Sequence, residues 1–326
     1  MIRIGLIGFG YWGPNIAKNL SKIENAEFTL IVDSCHDNLK KAKKLFSNIK
    51  TSVNLKDSIN DADAFIVATP IETHAQIAKL LLEHDKHVLI QKPMAHSSIE
   101  SDKLNKIAKK KNKVLMVAHT FIFSPAIQKI KKDININNYG DLNYISSTRV
   151  NLGLFQRFHN VVWDLAPHDF SIIRYLHDEK PSYISATGTA HTNSKLIDCA
   201  NITIGYKSNF MAMISINWLS PIKIRNFIVS GSKKTVLYDD CSLDKVRIYD
   251  SGVEYNNDVF TYKKGDVYIP KLEEKESIYF ECLEFINSIK EKRDPISNGF
   301  FGKEIVKMIE LTNKSIALNG RPVNYE

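Results

Sequence analysis

The chain reads as an α/β protein: a doubly wound parallel sheet at the N-terminus, then a second α/β domain with an open, mostly antiparallel sheet. Three observations predict this. Short, almost uninterrupted apolar runs alternate with helical patterns up to about residue 120, as parallel strands covered on both faces require. A glycine-rich turn, Gly8-Phe9-Gly10-Tyr11-Trp12-Gly13, separates the first run from the first helix. Beyond residue 120, strand-like stretches follow one another through short polar turns such as Lys207-Ser208-Asn209, which marks an antiparallel sheet.

Ile2–Ile7 is an apolar run that enters a strand at once, and Pro14 opens the first helix, where a missing N–H costs nothing. Ile16, Ala17 and Leu20 give that helix its apolar face. Phe28–Val32 is the second strand and ends at Asp33; Lys40–Phe46 is helical. Ala64–Ala68 is the next strand, and Thr73 is placed to cap the helix carrying Ile77, Ala78, Leu81 and Leu82. His87–Ile90, a helix over Ser97–Lys110 and the strand Val114–Ala118 complete the alternation. A helix from Pro125 to Lys132 follows, then strands over 142–150, 183–189, 200–206, 210–218, 224–230 and 235–238. An amphipathic helix, Trp163–Leu176, interrupts them, with Pro167 expected in its first turn. Helices return at 273–290 and 302–317. The pattern divides the chain into domains 1–120 and 121–326, with the C-terminal helices able to pack back on the first domain.

With 326 residues, 44% hydrophobic and 25% charged, the chain has the composition of a folded globular protein. The net charge of +8 is compatible with an anionic small molecule. The lysines are scattered, and the densest run, Lys109-Lys110-Lys111 with Lys113, sits near a helix end as a solvated face. No basic stripe interleaved with aromatics points to nucleic acid. No apolar run approaches the ~20 residues of a membrane span, and no signal peptide is evident. Cys35, Cys199, Cys241 and Cys282 form no CxxC pair, so no metal site is expected, and free thiols fit a cytoplasmic protein.

Gly8, Gly10 and Gly13 fit G-x-G-x-x-G between a strand and a helix. The first glycine permits the tight turn, the second lets backbone approach a pyrophosphate, and the third lets helix and strand pack closely. The helix start offers unpaired N–H groups to phosphate. Asp33, 20 residues after Gly13, is placed to accept hydrogen bonds from the adenosine ribose. Ser34 and Cys35 supply no arginine for a 2′-phosphate, which favours NAD over NADP. Phe9, Tyr11 and Trp12 complete the cofactor turn. Ala68-Thr69-Pro70, with His74 beyond it, and Gln91-Lys92-Pro93 end later strands and point to the same crevice. Thr69, Pro70, His74, Gln91 and Lys92 are therefore expected beside the cofactor. Asp164 and His168 lie four apart in Trp163-Asp164-Leu165-Ala166-Pro167-His168-Asp169, so on a helix they share one face. That pairing suits acid–base work and is also common as a plain salt bridge.

These motifs resemble the Gfo/Idh/MocA oxidoreductases over the whole chain. The resemblance implies a Rossmann domain binding NAD or NADP, a C-terminal sheet domain that mediates dimers or tetramers, and chemistry on sugar or cyclitol hydroxyls. The family's E-K-P motif falls on Gln91, Lys92 and Pro93; its acid–base histidine falls on His168, and its aspartate four residues earlier on Asp164. Gln91 replaces the family glutamate, keeping the hydrogen-bonding shape and losing the charge. The finer resemblance, through Gly10–Asn15, 149–155 and Trp163–Asp169, is to a bacterial subgroup linked to nucleotide-sugar and surface-polysaccharide pathways. The family resemblance makes Lys92, His168 and Asp164 the candidate catalytic residues. Arg149, Asn151, Arg157, His159 and Trp163 are candidate substrate contacts. A cyclitol or free-sugar dehydrogenase, and an NAD-binding regulator marked by Gln91, are the alternatives.

Overall fold

The computed structural model describes residues 1–153, 155, 159–192, 195–256 and 258–326. The chain forms two compact units, Met1–Phe123 with Lys275–Lys307, and Ser124–Glu274 with Met308–Glu326. The C-terminal segment is thus divided between the units rather than belonging wholly to the second.

The first unit contains β1 (Ile2–Ile7), α1 (Gly13–Leu20), β2 (Ala26–Val32), α2 (His36–Leu45), β3 (Lys50–Ser52), α3 (Leu55–Ser58), β4 (Ala64–Val67), α4 (Ile71–Glu83), β5 (His87–Gln91), α5 (Ser98–Lys111) and β6 (Leu115–Ala118). Its six strands are ordered β3-β2-β1-β4-β5-β6, and every neighbouring pair is parallel. The central strands are apolar because both faces are covered: all four residues of β4 and of β6 are buried. The chain order reverses between β1 and β4, and in such sheets ligands bind outside the carboxyl ends at that switch point. Residues 297 and 298 extend the sheet past β6: Val117 N donates to Ser297 O at 2.8 Å, and Met116 bridges Asn298.

The second unit begins with α6 (Pro125–Asn135), β7 (Leu142–Leu152), α7 (Val161–Leu176), β8 (Tyr183–Thr189), β9 (Cys199–Gly205), β10 (Met211–Asn217), β11 (Leu219–Gly231), β12 (Thr235–Asp239) and β13 (Val246–Tyr249). The hairpin strands β14 (Gly252–Asn256) and β15 (Val259–Lys263) and the short β16 (Val267–Tyr268) follow. Next come α8 (Ser277–Glu291), which lies in the first unit, α9 (Gly299–Ala317), in which the division falls, and β17 (Val323–Asn324). Nine strands form one sheet, β16-β13-β12-β11-β7-β10-β9-β8-β17. Only β7–β10 among its pairs is parallel. Alternate residues of β9 and β10, such as Ile202, Ile204, Ala212, Ile214 and Ile216, are buried, as are Phe170, Ile172 and Ile173 of α7. Period-two strands and a helical stripe thus supply the core of this unit.

Several helix starts are shifted from expectation, among them α2 at His36 and α8 at Ser277, and at α4 and α7 the capping differs. α4 opens at Ile71 behind Pro70, and the Thr73 hydroxyl bonds Thr69 Oγ1 at 2.7 Å and Pro70 O at 2.8 Å instead of capping. α7 opens at Val161, capped by the Asn160 side chain, which accepts from Trp163 N at 3.3 Å. Pro167 therefore lies inside the helix rather than in its first turn.

Candidate active site

The glycine turn leaves β1 and enters α1. Gly8 has φ +94°, and a Cβ there would lie 2.5 Å from Ala68 O, so a side chain is excluded both by conformation and by the backbone just beyond β4. A Cβ on Gly13 would lie 2.8 Å from Gly8 O, so the third glycine lets the helix start close onto the turn. Gly10 differs: a Cβ there would meet nothing within 4 Å. The space above Gly10 is open and the backbone is exposed, which fits the room a pyrophosphate needs over a helix N-terminus. Phe9 is buried at 2% exposure, whereas Tyr11 and Trp12 are exposed, their rings edge to face at 5.5 Å.

Asp33 follows β2. Its Oδ2 accepts from Phe9 N at 2.6 Å and from Asn38 Nδ2 at 3.1 Å, and its Oδ1 from Cys35 N at 2.8 Å. The carboxylate is thus pinned directly against the glycine turn while remaining half-buried. Asn38 was not anticipated. Its place in the first turn of α2, five residues after Asp33, is the signal that could have found it.

Lys92, half-buried, occupies the turn after β5, with Gln91 as the last strand residue and Pro93 buried behind it. His74 lies under this turn at 1% exposure. Its Nε2 is 2.8 Å from Thr69 O and its Nδ1 is 3.0 Å from Pro93 O. The expectation that His74 touches the cofactor is corrected: the ring is buried, each of its nitrogens faces a backbone carbonyl, and burial lowers the pKa of the ring.

His119, after β6, was also missed. It is 1% exposed, its ring nitrogens have no hydrogen-bond partner among the described residues, and its ring packs 5.4 Å from that of Phe301. Burial, followed by the positive charge of Lys92, pushes it down to about 3, so it is neutral at working pH. Beside it, Thr120 Oγ1 donates to Glu281 of α8 at 3.0 Å, and full burial raises this carboxyl to about 8.

In the second unit, Asp164 and His168 sit half-buried on α7, one helical turn apart. Asp164 Oδ2 accepts from Trp218 Nε1 at 3.1 Å, a partner 54 residues away with no local sequence signal. Trp163 is half-buried near His159, their rings 6.3 Å apart. Asn151 Nδ2 donates to Leu152 O at 3.0 Å. Arg157 lies outside the described residues. Arg149 corrects the expected substrate contact. It is 2% exposed, and its Nε donates to the fully buried Asp169 at 2.8 Å. Ser147 Oγ donates to the other oxygen of Asp169 at 2.7 Å. The side chains of residues 145, 147 and 149 alternate inward along β7, and that period carries Arg149 into the core of the unit.

A parallel sheet in 3-2-1-4-5-6 order, a glycine turn at its switch point and a carboxylate at the end of β2 define a dinucleotide-binding Rossmann unit. Residues 2–119 match the family described as "Oxidoreductase family, NAD-binding Rossmann fold", and residues 128–237 match "GFO/IDH/MocA C-terminal domain". The chain belongs to the Gfo/Idh/MocA family and is an NAD-dependent dehydrogenase. It is 23% identical to myo-inositol 2-dehydrogenase of Thermotoga maritima, over 97% of this chain and 96% of that one. It is 22% identical to UDP-N-acetylglucosamine 3-dehydrogenase of Acidithiobacillus ferrooxidans, over 94% of each. The solved structure of levoglucosan dehydrogenase with NADH and levoglucosan shares the fold, with a TM-score of 0.85 at 19% identity and 99% of each chain covered. No described helix is long and apolar enough to cross a membrane.

Proposed function

We propose that the chain oxidises or reduces one carbon of a sugar carried on a nucleotide, with Lys92, His168 and Asp164 as the acid–base group. The observation that carries the reading is Lys92 itself, a half-buried lysine on the turn beyond β5, in the sheet whose glycine turn is shaped for a dinucleotide. The open space over Gly10 and the Asp33 carboxylate beside Phe9 N fit NAD, which when bound supplies the hydride acceptor or donor.

The protein's part is positioning and proton transfer. In the oxidative direction His168 takes the hydroxyl proton on a ring nitrogen as the carbinol hydrogen leaves as hydride. Lys92 Nζ donates a hydrogen bond to the same oxygen and stabilises the charge that develops there. Asp164, held by Trp218, orients His168 or a neighbouring substrate hydroxyl. Gln91 contributes no charge beside Lys92.

The nucleotide sugar is supported by the likeness to the UDP-N-acetylglucosamine enzyme and by the net charge of +8, which suits a diphosphate. The likeness to the myo-inositol enzyme favours a free cyclitol or sugar as the second reading. We expect a cytoplasmic homodimer or homotetramer. A panel of UDP- and TDP-sugars, free sugars and inositol, read by NADH absorbance, tests the reading. Turnover of a nucleotide sugar, inhibited by UDP or TDP, is expected. Turnover of a free polyol that ignores both nucleotides would overturn the substrate, and NADH binding with no turnover at all would indicate a regulator.

A further inference from the structure

We propose that His74 is a positioning residue that ties the turn after β4 to the turn bearing Lys92, through the carbonyls of Thr69 and Pro93. The proposal rests on the reading that Lys92 acts on the substrate oxygen.

The ladder between β4 and β5 ends at the pair Val67 and Ile90. Thr69 and Pro93 both lie beyond that pair, where no strand hydrogen bond fixes one turn to the other. His74, the fourth residue of α4, fills this gap from below. Its two nitrogens reach the two carbonyls at 2.8 and 3.0 Å, and the ring is shut off from solvent. The Thr73 hydroxyl, bonded to Thr69 Oγ1, fixes the same turn from the adjoining position. The residues joined are the ones flanking the switch point on one side and Lys92 on the other, so a shift of the link displaces Lys92 relative to the β4 turn.

A carbonyl oxygen only accepts, so each contact needs a proton on the nitrogen facing it. A neutral imidazole carries one N–H and serves one carbonyl at a time through its two tautomers. A glutamine amide carries two N–H donors on one nitrogen, and a phenylalanine fills the same space with none.

These differences set the test. NADH affinity is measured by fluorescence, and kcat and KM with whichever sugar of the panel turns over, for wild type, His74→Phe, His74→Gln and Lys92→Ala. His74→Phe is expected to lower kcat on the order of 10²-fold, the cost of a small misplacement of a reacting group. Its NADH affinity is expected to stay within about three-fold, and His74→Gln to recover about ten-fold of the lost kcat. A glutamine variant no better than phenylalanine, or NADH affinity falling in step with kcat, overturns the proposal. The ring ¹⁵N spectrum of wild-type His74 is independent of activity and of whether the phenylalanine variant folds. Exchange between both tautomers, or protonation of both nitrogens, supports the link; one fixed tautomer with a bare second nitrogen overturns it. Lys92→Ala with turnover intact would refute the Lys92 reading while leaving the spectrum to judge the link.

Discussion

Replacing Arg149 by methionine should destabilise the second unit and leave substrate affinity alone. Arg149 and Asp169 are 2% and 0% exposed, and Asp169 takes Arg149 Nε at 2.8 Å and Ser147 Oγ at 2.7 Å. Both charges are out of water, so removing Arg149 leaves the buried Asp169 without its counter-ion. Breaking such a pair costs about 3–5 kcal/mol, far above the ~1 kcal/mol ceiling of an exposed ion pair. In a unit of this size that corresponds to a fall of about 10 °C in Tm. Asp169→Leu should cost as much, and the double variant Arg149→Met with Asp169→Leu less than the sum, because no uncompensated charge remains. Thermal unfolding followed by circular dichroism, with hydrogen exchange on β7 and α7 to localise the loss, measures all three variants. A single Arg149→Met variant that melts within about 2 °C of wild type, with a raised KM, would refute the core role and restore Arg149 as a substrate contact.

Two further outcomes are expected. Asp33→Ala removes a charged acceptor beside the glycine turn and should weaken NAD by about ten-fold or more while narrowing its advantage over NADP; fluorescence titration with both cofactors would show an unchanged preference if Asp33 does not meet the ribose. Glu281 is a carboxyl raised by full burial from 4.5 to about 8, so the folded state holds a proton that the unfolded chain releases. Its stabilising contribution is complete below pH 4.5 and is lost as pH rises to about 8. Melting curves of Glu281→Gln should show a shallower decline with pH across that window, and identical slopes in the two proteins would rule the effect out.

What was legible in the residues was whatever depends on local pattern. The apolar runs ending at Ile7, Ala68 and Ile90 identify the parallel strands, because a strand buried on both faces must be apolar throughout. β3 escaped because it is a three-residue edge strand, Lys50–Ser52, with little to bury. Pro167 misled because a proline usually marks a first turn, and Asn160, the true cap, lies seven residues before it. In the site, the spacing of Gly8, Gly10, Gly13 and Asp33, taken with the strand before and the helix after the turn, marks them as the candidate cofactor turn. Arg149, Asp164 and His74 were recognised as polar and notable, but their partners Asp169, Trp218 and the Pro93 carbonyl are set by tertiary packing. Asp169 stands beside His168 in the sequence, but its pairing with Arg149 is made only by the tertiary contact of α7 with β7.

The central claim is that Lys92 acts on the substrate oxygen in an NAD-dependent dehydrogenation. The most direct measurement is the turnover and NADH affinity of Lys92→Ala, compared with wild type on the sugar that the panel identifies. The account predicts turnover lower by on the order of 10³-fold with NADH affinity held within about three-fold. Turnover retained within about three-fold of wild type would contradict it.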